Sequence, residues 1–142
     1  MQKLLLLILL FAIQATFNPA SAQKRAKKVK AKTPTEAYYV RFPKDSTSTH
    51  IDAYMLGLAH PVTFIIKVKK GKRIMARINE MAEPGNVRIN QIIMPDGATD
   101  GPFSKSIEYP IIKKGIYKLI IGGSNMQGDN WKGAFTLHVA IM

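Results

Sequence analysis

From residue 36 onward the hydrophobic positions recur at every second residue. In Val62-Thr-Phe-Ile-Ile-Lys-Val-Lys69, Phe64, Ile66 and Val68 point one way, and Thr63, Ile65, Lys67 and Lys69 the other. In Arg73-Ile-Met-Ala-Arg-Ile-Asn79, Ile74, Ala76 and Ile78 form one face, with Arg73, Met75 and Arg77 behind it. Phe135, Leu137, Val139 and Ile141 make the same pattern in the last run, with Thr136, His138 and Ala140 on the reverse. A period of two places alternate side chains on opposite faces of an extended chain, one dry and one wet. No window long enough for a helix keeps an apolar stripe at the helical period. Eight strands are predicted: Ala37–Phe42, Thr49–Leu56, Val62–Lys69, Arg73–Asn79, Val87–Met94, Ile107–Ile112, Gly115–Ile121 and Ala134–Ile141.

Between these runs stand turn-forming residues: Pro43-Lys-Asp-Ser46, Gly57, Lys70-Gly71, Glu83-Pro-Gly-Asn86, Pro95-Asp-Gly97, Lys114-Gly115 and Gly122-Gly123. Short strands at this spacing predict an all-β domain, a two-sheet antiparallel β-sandwich of about eight short strands over residues 36–142. Roughly fifteen large apolar side chains face its interior, each contributing about 1.5–3 kcal/mol on burial before conformational entropy is counted. Two turns echo one another: Lys69-Lys-Gly-Lys-Arg-Ile74 and Lys113-Lys-Gly-Ile-Tyr-Lys118 each put two lysines and a glycine before a strand. The glycine is expected at positive φ where the chain reverses, and the lysines serve solubility.

The first 35 residues differ in kind. Met1-Gln-Lys3 is a short basic start, Leu4 to Ile13 is an apolar run, and Ala20-Ser-Ala22 ends the segment on small residues. This predicts a signal peptide over 1–22 with cleavage before Gln23; about ten apolar residues are too few to span a bilayer. Export to the periplasm or beyond follows. Residues 23–35 hold Lys24, Arg25, Lys27, Lys28, Lys30 and Lys32 with no acidic residue, the composition of a disordered tail. The tail could make weak contact with an anionic surface. The chain carries +12 overall, but from Thr33 onward 14 basic residues face 9 acidic ones, a net +5. Most of the basicity therefore lies ahead of the domain, and with no recognition motif in an exported chain, nucleic acid is not a predicted partner.

Candidate chemistry is sparse. His50, His60 and His138 stand far apart in sequence, there is no cysteine, and no nucleophile elbow, HExxH or phosphate loop occurs. The reading is of a protein that is not an enzyme and needs no cofactor. Asp96-Gly-Ala-Thr-Asp100-Gly offers two carboxylates on a glycine-rich loop, yet lacks the alternating ligands and distal glutamate of an EF-hand. Asp96 and Asp100 are thus the sole metal candidates, and no metal site is assigned. The segment Gly122-Gly-Ser-Asn-Met-Gln-Gly-Asp-Asn-Trp131 is longer than a tight hairpin needs and holds the only tryptophan. Asn125, Gln127, Asp129, Asn130, Trp131 and Lys132 are the candidate binding residues, since end loops of a sandwich carry recognition and tryptophan offers a broad apolar face with one N–H donor. Trp131 can equally fold inward as a lid on the end of the core, with Gly128 and Gly133 letting the chain bend.

The order of these signals resembles two groups of exported bacterial β-sandwiches, the periplasmic inhibitors of g-type lysozyme and the pre-peptidase C-terminal type of domain. The resemblance spans about residues 38–141. Its carriers are Val40-Arg-Phe42, Ile51 to Gly57, the run Val62 to Ile78, Asn86-Val-Arg-Ile-Asn90 followed by Pro95-Asp-Gly97, Lys113 to Gly123, and Lys132 to Ile141. Gly115, Tyr117 and Phe135-Thr-Leu-His-Val139 match the C-terminal half that both groups share. The resemblance implies a non-catalytic binder of a lysozyme-type hydrolase; the alternative it implies is a carbohydrate- or cell-wall-binding module. The inhibitors carry an arginine-bearing stretch before the last strand, where this chain has Asn125-Met-Gln-Gly128, so no inhibitory arginine is carried over.

Overall fold

The structure is a computed structural model and describes residues 36–142; the expected signal peptide (1–22) and basic tail (23–35) lie outside the described residues. Nine strands form two sheets: β1 (Glu36–Val40), β2 (Ser48–Met55), β3 (Val62–Val68), β4 (Arg73–Glu80), β5 (Arg88–Ile93), β6 (Thr99–Asp100), β7 (Ser106–Pro110), β8 (Gly115–Gly122) and β9 (Gly133–Ile141). One sheet has the order β1-β3-β8-β5-β6, the other β2-β9-β4-β7. All pairs are antiparallel except β1 with β3, which run parallel from Glu36 opposite Val62 to Val40 opposite Ile66. The eight predicted strands all form, within two residues at each boundary. The ninth, two-residue β6, pairs with the end of β5 at Ile92 and Ile93 and has no apolar alternation of its own.

The dry faces meet as the period of two requires. Phe64, Ile66 and Val68 of β3 and Tyr117, Leu119 and Ile121 of β8 close against Ile74, Ala76 and Ile78 of β4 and Phe135, Leu137 and Val139 of β9. Each sheet is covered on one side by the other, the arrangement of a sandwich. β5 departs from strict alternation. Ile89 and Ile92 are both fully buried, although they are an odd number of residues apart. A bulge allows it: Ile89 opposes Ile121 and Gln91 opposes Ile120, leaving Asn90 as the extra residue. The bulge resets which face the strand presents.

The two lysine–glycine turns lie at one end, and both cross from one sheet to the other. Gly71 has φ +114° and Gly115 φ +143°, the left-handed side of the map where glycine is unstrained. Tyr117, two residues beyond Gly115, is buried and donates its hydroxyl to the Lys113 carbonyl oxygen at 2.7 Å. The ring fills the core while the hydroxyl fixes the turn, which satisfies its one polar atom.

Candidate functional site

The opposite end carries three connections that pack on one another: 56–61 between β2 and β3, 81–87 between β4 and β5, and 123–132 between β8 and β9. Each crosses between the sheets, since β2, β4 and β9 belong to one and β3, β5 and β8 to the other. The last is the longest. Within it Asn125–Gln127 form a turn of 3-10 helix capped by Ser124, whose side chain accepts from the Met126 N–H, and closed by Gly128 at φ +81°.

Asn86 holds the loop at its base. It is buried, donates Nδ2–H to the carbonyl oxygens of Ser124 (2.8 Å) and Asp129 (2.9 Å), and accepts the Ser124 N–H on Oδ1 at 2.7 Å. A single amide thereby ties both legs of the 3-10 turn. The bulged Asn90 adds a bond from Nδ2 to the Gly123 carbonyl oxygen at 3.2 Å. Asn130 braces the far side: its Oδ1 accepts the Leu58 N–H at 2.8 Å and lies against Gly57, where a Cβ would come within 2.4 Å of it.

Trp131 is half-buried and packs against the core. Its pyrrole edge lies over Gly85, where a Cβ would meet Cδ1 at 1.9 Å, and its benzo edge lies against Gly133, where a Cβ would meet Cζ2 at 2.5 Å. Both glycines are needed because any side chain there would occupy the space of the ring. Glu80 supports the same corner, accepting the Gly85 N–H at 3.3 Å and pairing with Lys105.

The candidate residues thus divide into two groups. Asn130 and Trp131 have their side chains committed to neighbouring loops. Asn125, Gln127, Asp129 and Lys132 are exposed, and Asn125 and Gln127 flank Met126, which is 97% exposed at the tip. Two contributors lie outside the residues expected from sequence: Met126, which the polar pattern around it obscures, and Asn86, which stands in a proline–glycine turn where asparagine is ordinary. Only its contacts with Ser124 and Asp129, 38 and 43 residues further along, separate Asn86 from a solvated turn residue.

Elsewhere the chemistry stays dispersed. His50 and His138 are cross-strand neighbours on the outer face of the four-stranded sheet, their rings 6.0 Å apart. Arg77 stands between His138 and Ser106 in the same cross-strand row, which puts the serine about two strand spacings, roughly 10 Å, from that histidine. No nucleophile–base pair is built there. His60 lies in the 56–61 connection. Asp96 accepts the Ala98 N–H at 3.0 Å and approaches Lys113 at 3.9 Å, while Asp100 accepts the Gly101 N–H at 2.8 Å. Among the described residues no group of three or more His, Asp or Glu is placed to hold a metal ion.

Glu80 gives the corner a pH dependence. Burial pushes its carboxyl up, but hydrogen bonds from Lys105 and from the Glu80 and Gly85 N–H groups, with the Lys105 charge, outweigh that and hold it below its ordinary value. A carboxylate depressed in the folded state stabilises fully above its unfolded pKa, and that contribution is lost as pH falls through the folded one. The stability gap between the parent and Glu80→Gln should therefore be widest near neutrality and close as the pH falls below the ordinary carboxylate range. Urea midpoints across that range check it; a gap independent of pH would show that the ion pair is not what stabilises the corner.

The fold is that of known bacterial sandwiches. The chain is similar to the periplasmic inhibitor of g-type lysozyme from Aeromonas hydrophila at a TM-score of 0.61 and 16% identity, over 76% of this chain and 97% of that one. The corresponding Salmonella Typhimurium inhibitor gives 0.53 and 16%, over 75% and 98%. The pre-peptidase C-terminal domain of a Bacillus anthracis collagenase gives 0.50 and 20%, over 75% and 96%. No protein-family model and no curated protein matches the sequence.

Proposed function

We propose that this is an exported, non-catalytic binding protein that blocks a wall-degrading hydrolase of the g-type lysozyme kind by inserting the 123–132 loop into its cleft. One observation carries the reading: the loop is pinned at its base by Asn86 and braced at its far leg by Asn130 and Trp131, while Asn125, Met126 and Gln127 project free. A recognition loop held in shape before contact avoids much of the ordering cost of binding. Met126 supplies an adaptable apolar contact, and Asn125 and Gln127 supply amides that both donate and accept. The likeness of fold to the two lysozyme inhibitors supports the partner class, and the sequence of residues 1–22 supports export to the periplasm or beyond.

Charge adds little, since Asp129 and Lys132 offset one another on the loop. The contact would rest on shape and on the tip, exposed here and covered only by the partner. The alternative, a wall-glycan module, draws on Trp131 as a stacking platform; the ring's packing against Gly85 and Gly133 leaves it half-buried, which favours the tip over the indole. The purified protein, in molar excess, should suppress lysis of cell-wall suspensions by a g-type lysozyme. Met126→Asp should weaken that suppression by about 2 kcal/mol, the scale of a contact at the centre of an interface, without altering the unfolding midpoint. Undiminished lysis removes the inhibitor reading, and retention on insoluble glycan in its place selects the alternative.

A further inference from the structure

We propose that the lysine-rich end of the sandwich, remote from the 123–132 loop, docks on an anionic lipid surface. The two lysine–glycine turns converge there. The Ile111 N–H donates to the Lys72 carbonyl oxygen at 2.8 Å, and Gly71 lies against Ile111 and Ile141. Lys69, Lys70, Lys72 and Lys114 are exposed and have no ion-pair partner among the described residues. The acidic side chains at this end are Asp45, beside Lys44, Asp96, which Lys113 approaches at 3.9 Å, and Glu108, which pairs with Arg73. The end is therefore strongly positive.

A second, independent feature is apolar. Ile112 is 82% exposed at the tip of its turn and Met142 63% exposed. Behind them lies a cleft of about 490 Å³, with Phe42, Ile141 and Met142 as its apolar wall and Lys67, Lys69 and Lys70 around it. Apolar tips within a ring of lysines match a bilayer interface: the tips enter the headgroup layer, and the lysine stems lie along it with their ammonium groups among the phosphates. The Tyr117 hydroxyl, bonded to the Lys113 carbonyl oxygen, holds the Ile112 turn in the exposed position. Docking by this end would leave the 123–132 loop facing away from the membrane, because β3 and β8 run the length of the sheet between the two ends.

Co-sedimentation with vesicles tests this. The core lies wholly between Val40 and Val139, so the chain from Gln23 onward contains all that the fold needs. It should bind vesicles of equal parts phosphatidylglycerol and phosphatidylcholine, and bind phosphatidylcholine alone much less. Each lysine near an anionic leaflet contributes roughly fivefold to partitioning, so Lys70→Gln with Lys114→Gln should weaken binding about 25-fold. Ile112→Ser should weaken it further, by a factor that added salt does not remove. All three side chains are exposed, and an unchanged unfolding midpoint confirms the variants' fold. Parent-like binding by these variants overturns the proposal. So does loss of all binding on deleting residues 23–33, which would assign the effect to the basic tail. Equal affinity for soluble dextran sulfate, with Ile112→Ser indifferent, overturns it too, assigning the lysines to a soluble polyanion.

Discussion

Phe135→Ala is expected to lower the unfolding free energy by about 3–5 kcal/mol. The ring is fully buried on β9, the strand to which both β2 and β4 are bonded, and meets Phe64 of the facing sheet edge-on at 6.1 Å and 69°. Its loss leaves a hole between two hydrogen-bonded layers that cannot draw together locally, so the cavity cost adds to the lost transfer energy. Domains of this size are typically stable by only about 5–15 kcal/mol, so the variant should be marginal. Urea unfolding at constant m reads the change directly. A double-mutant cycle with Phe64→Leu should show about 0.5–1.5 kcal/mol of coupling. A loss below about 1 kcal/mol would mean that the sheets are not joined through this contact.

Asn86→Ala should cost about 3 kcal/mol, which is large for one polar residue. The substitution strands the buried Ser124 N–H, leaves the Ser124 carbonyl oxygen with the Gln127 N–H alone, and releases the Asp129 carbonyl. Groups left buried without a partner carry their full desolvation penalty. Asn86→Asp keeps an acceptor for the Ser124 N–H and loses both donors, so it should destabilise as well, though the Ser124 N–H stays bonded. The site-specific readout is amide hydrogen exchange at Ser124, which should accelerate in Asn86→Ala well beyond what the global stability change produces. Unaltered exchange at that amide would show that the loop holds its shape without Asn86. Where the loss is confirmed, the same variant should also weaken any partner that reads the 125–127 tip, because the tip would have to be ordered at the moment of contact.

Much of the sandwich was legible in residues 36–142 because its signals are local. A period of two is a property of the extended chain itself, and Phe64-Ile66-Val68 or Ile74-Ala76-Ile78 displays it within one strand. The lysine–glycine turns were legible for the same reason: positive φ at Gly71 and Gly115 is a demand of the turn that glycine meets alone. β6 was not, since two residues that pair only with the end of β5 hold no period. Nor was the bulge at Asn90, which appears only when Ile89 and Ile92 must face one core. The parallel pairing of β1 with β3 is likewise invisible in either strand, because register depends on the partner.

The candidate site was legible as a place and not as a set of roles. A long polar loop with a lone tryptophan before the final strand marks an end of the sandwich. Which of its residues hold the loop and which remain free depends on what crosses from the 56–61 and 81–87 connections.

The chain by itself determined an all-β sandwich, eight of its nine strands to within two residues at each end, and its turn glycines, since each follows from dihedral preference and alternation over a few neighbouring residues. Only the tertiary structure decided that Asn86 clamps the end loop, that Trp131 rests against Gly85 and Gly133, that Met126 is the free tip, and that two separate lysine turns share one end with Ile112. Apart from Trp131 on Gly133, the contacts among these join residues tens of positions apart, and their geometry exists only once the two sheets have packed.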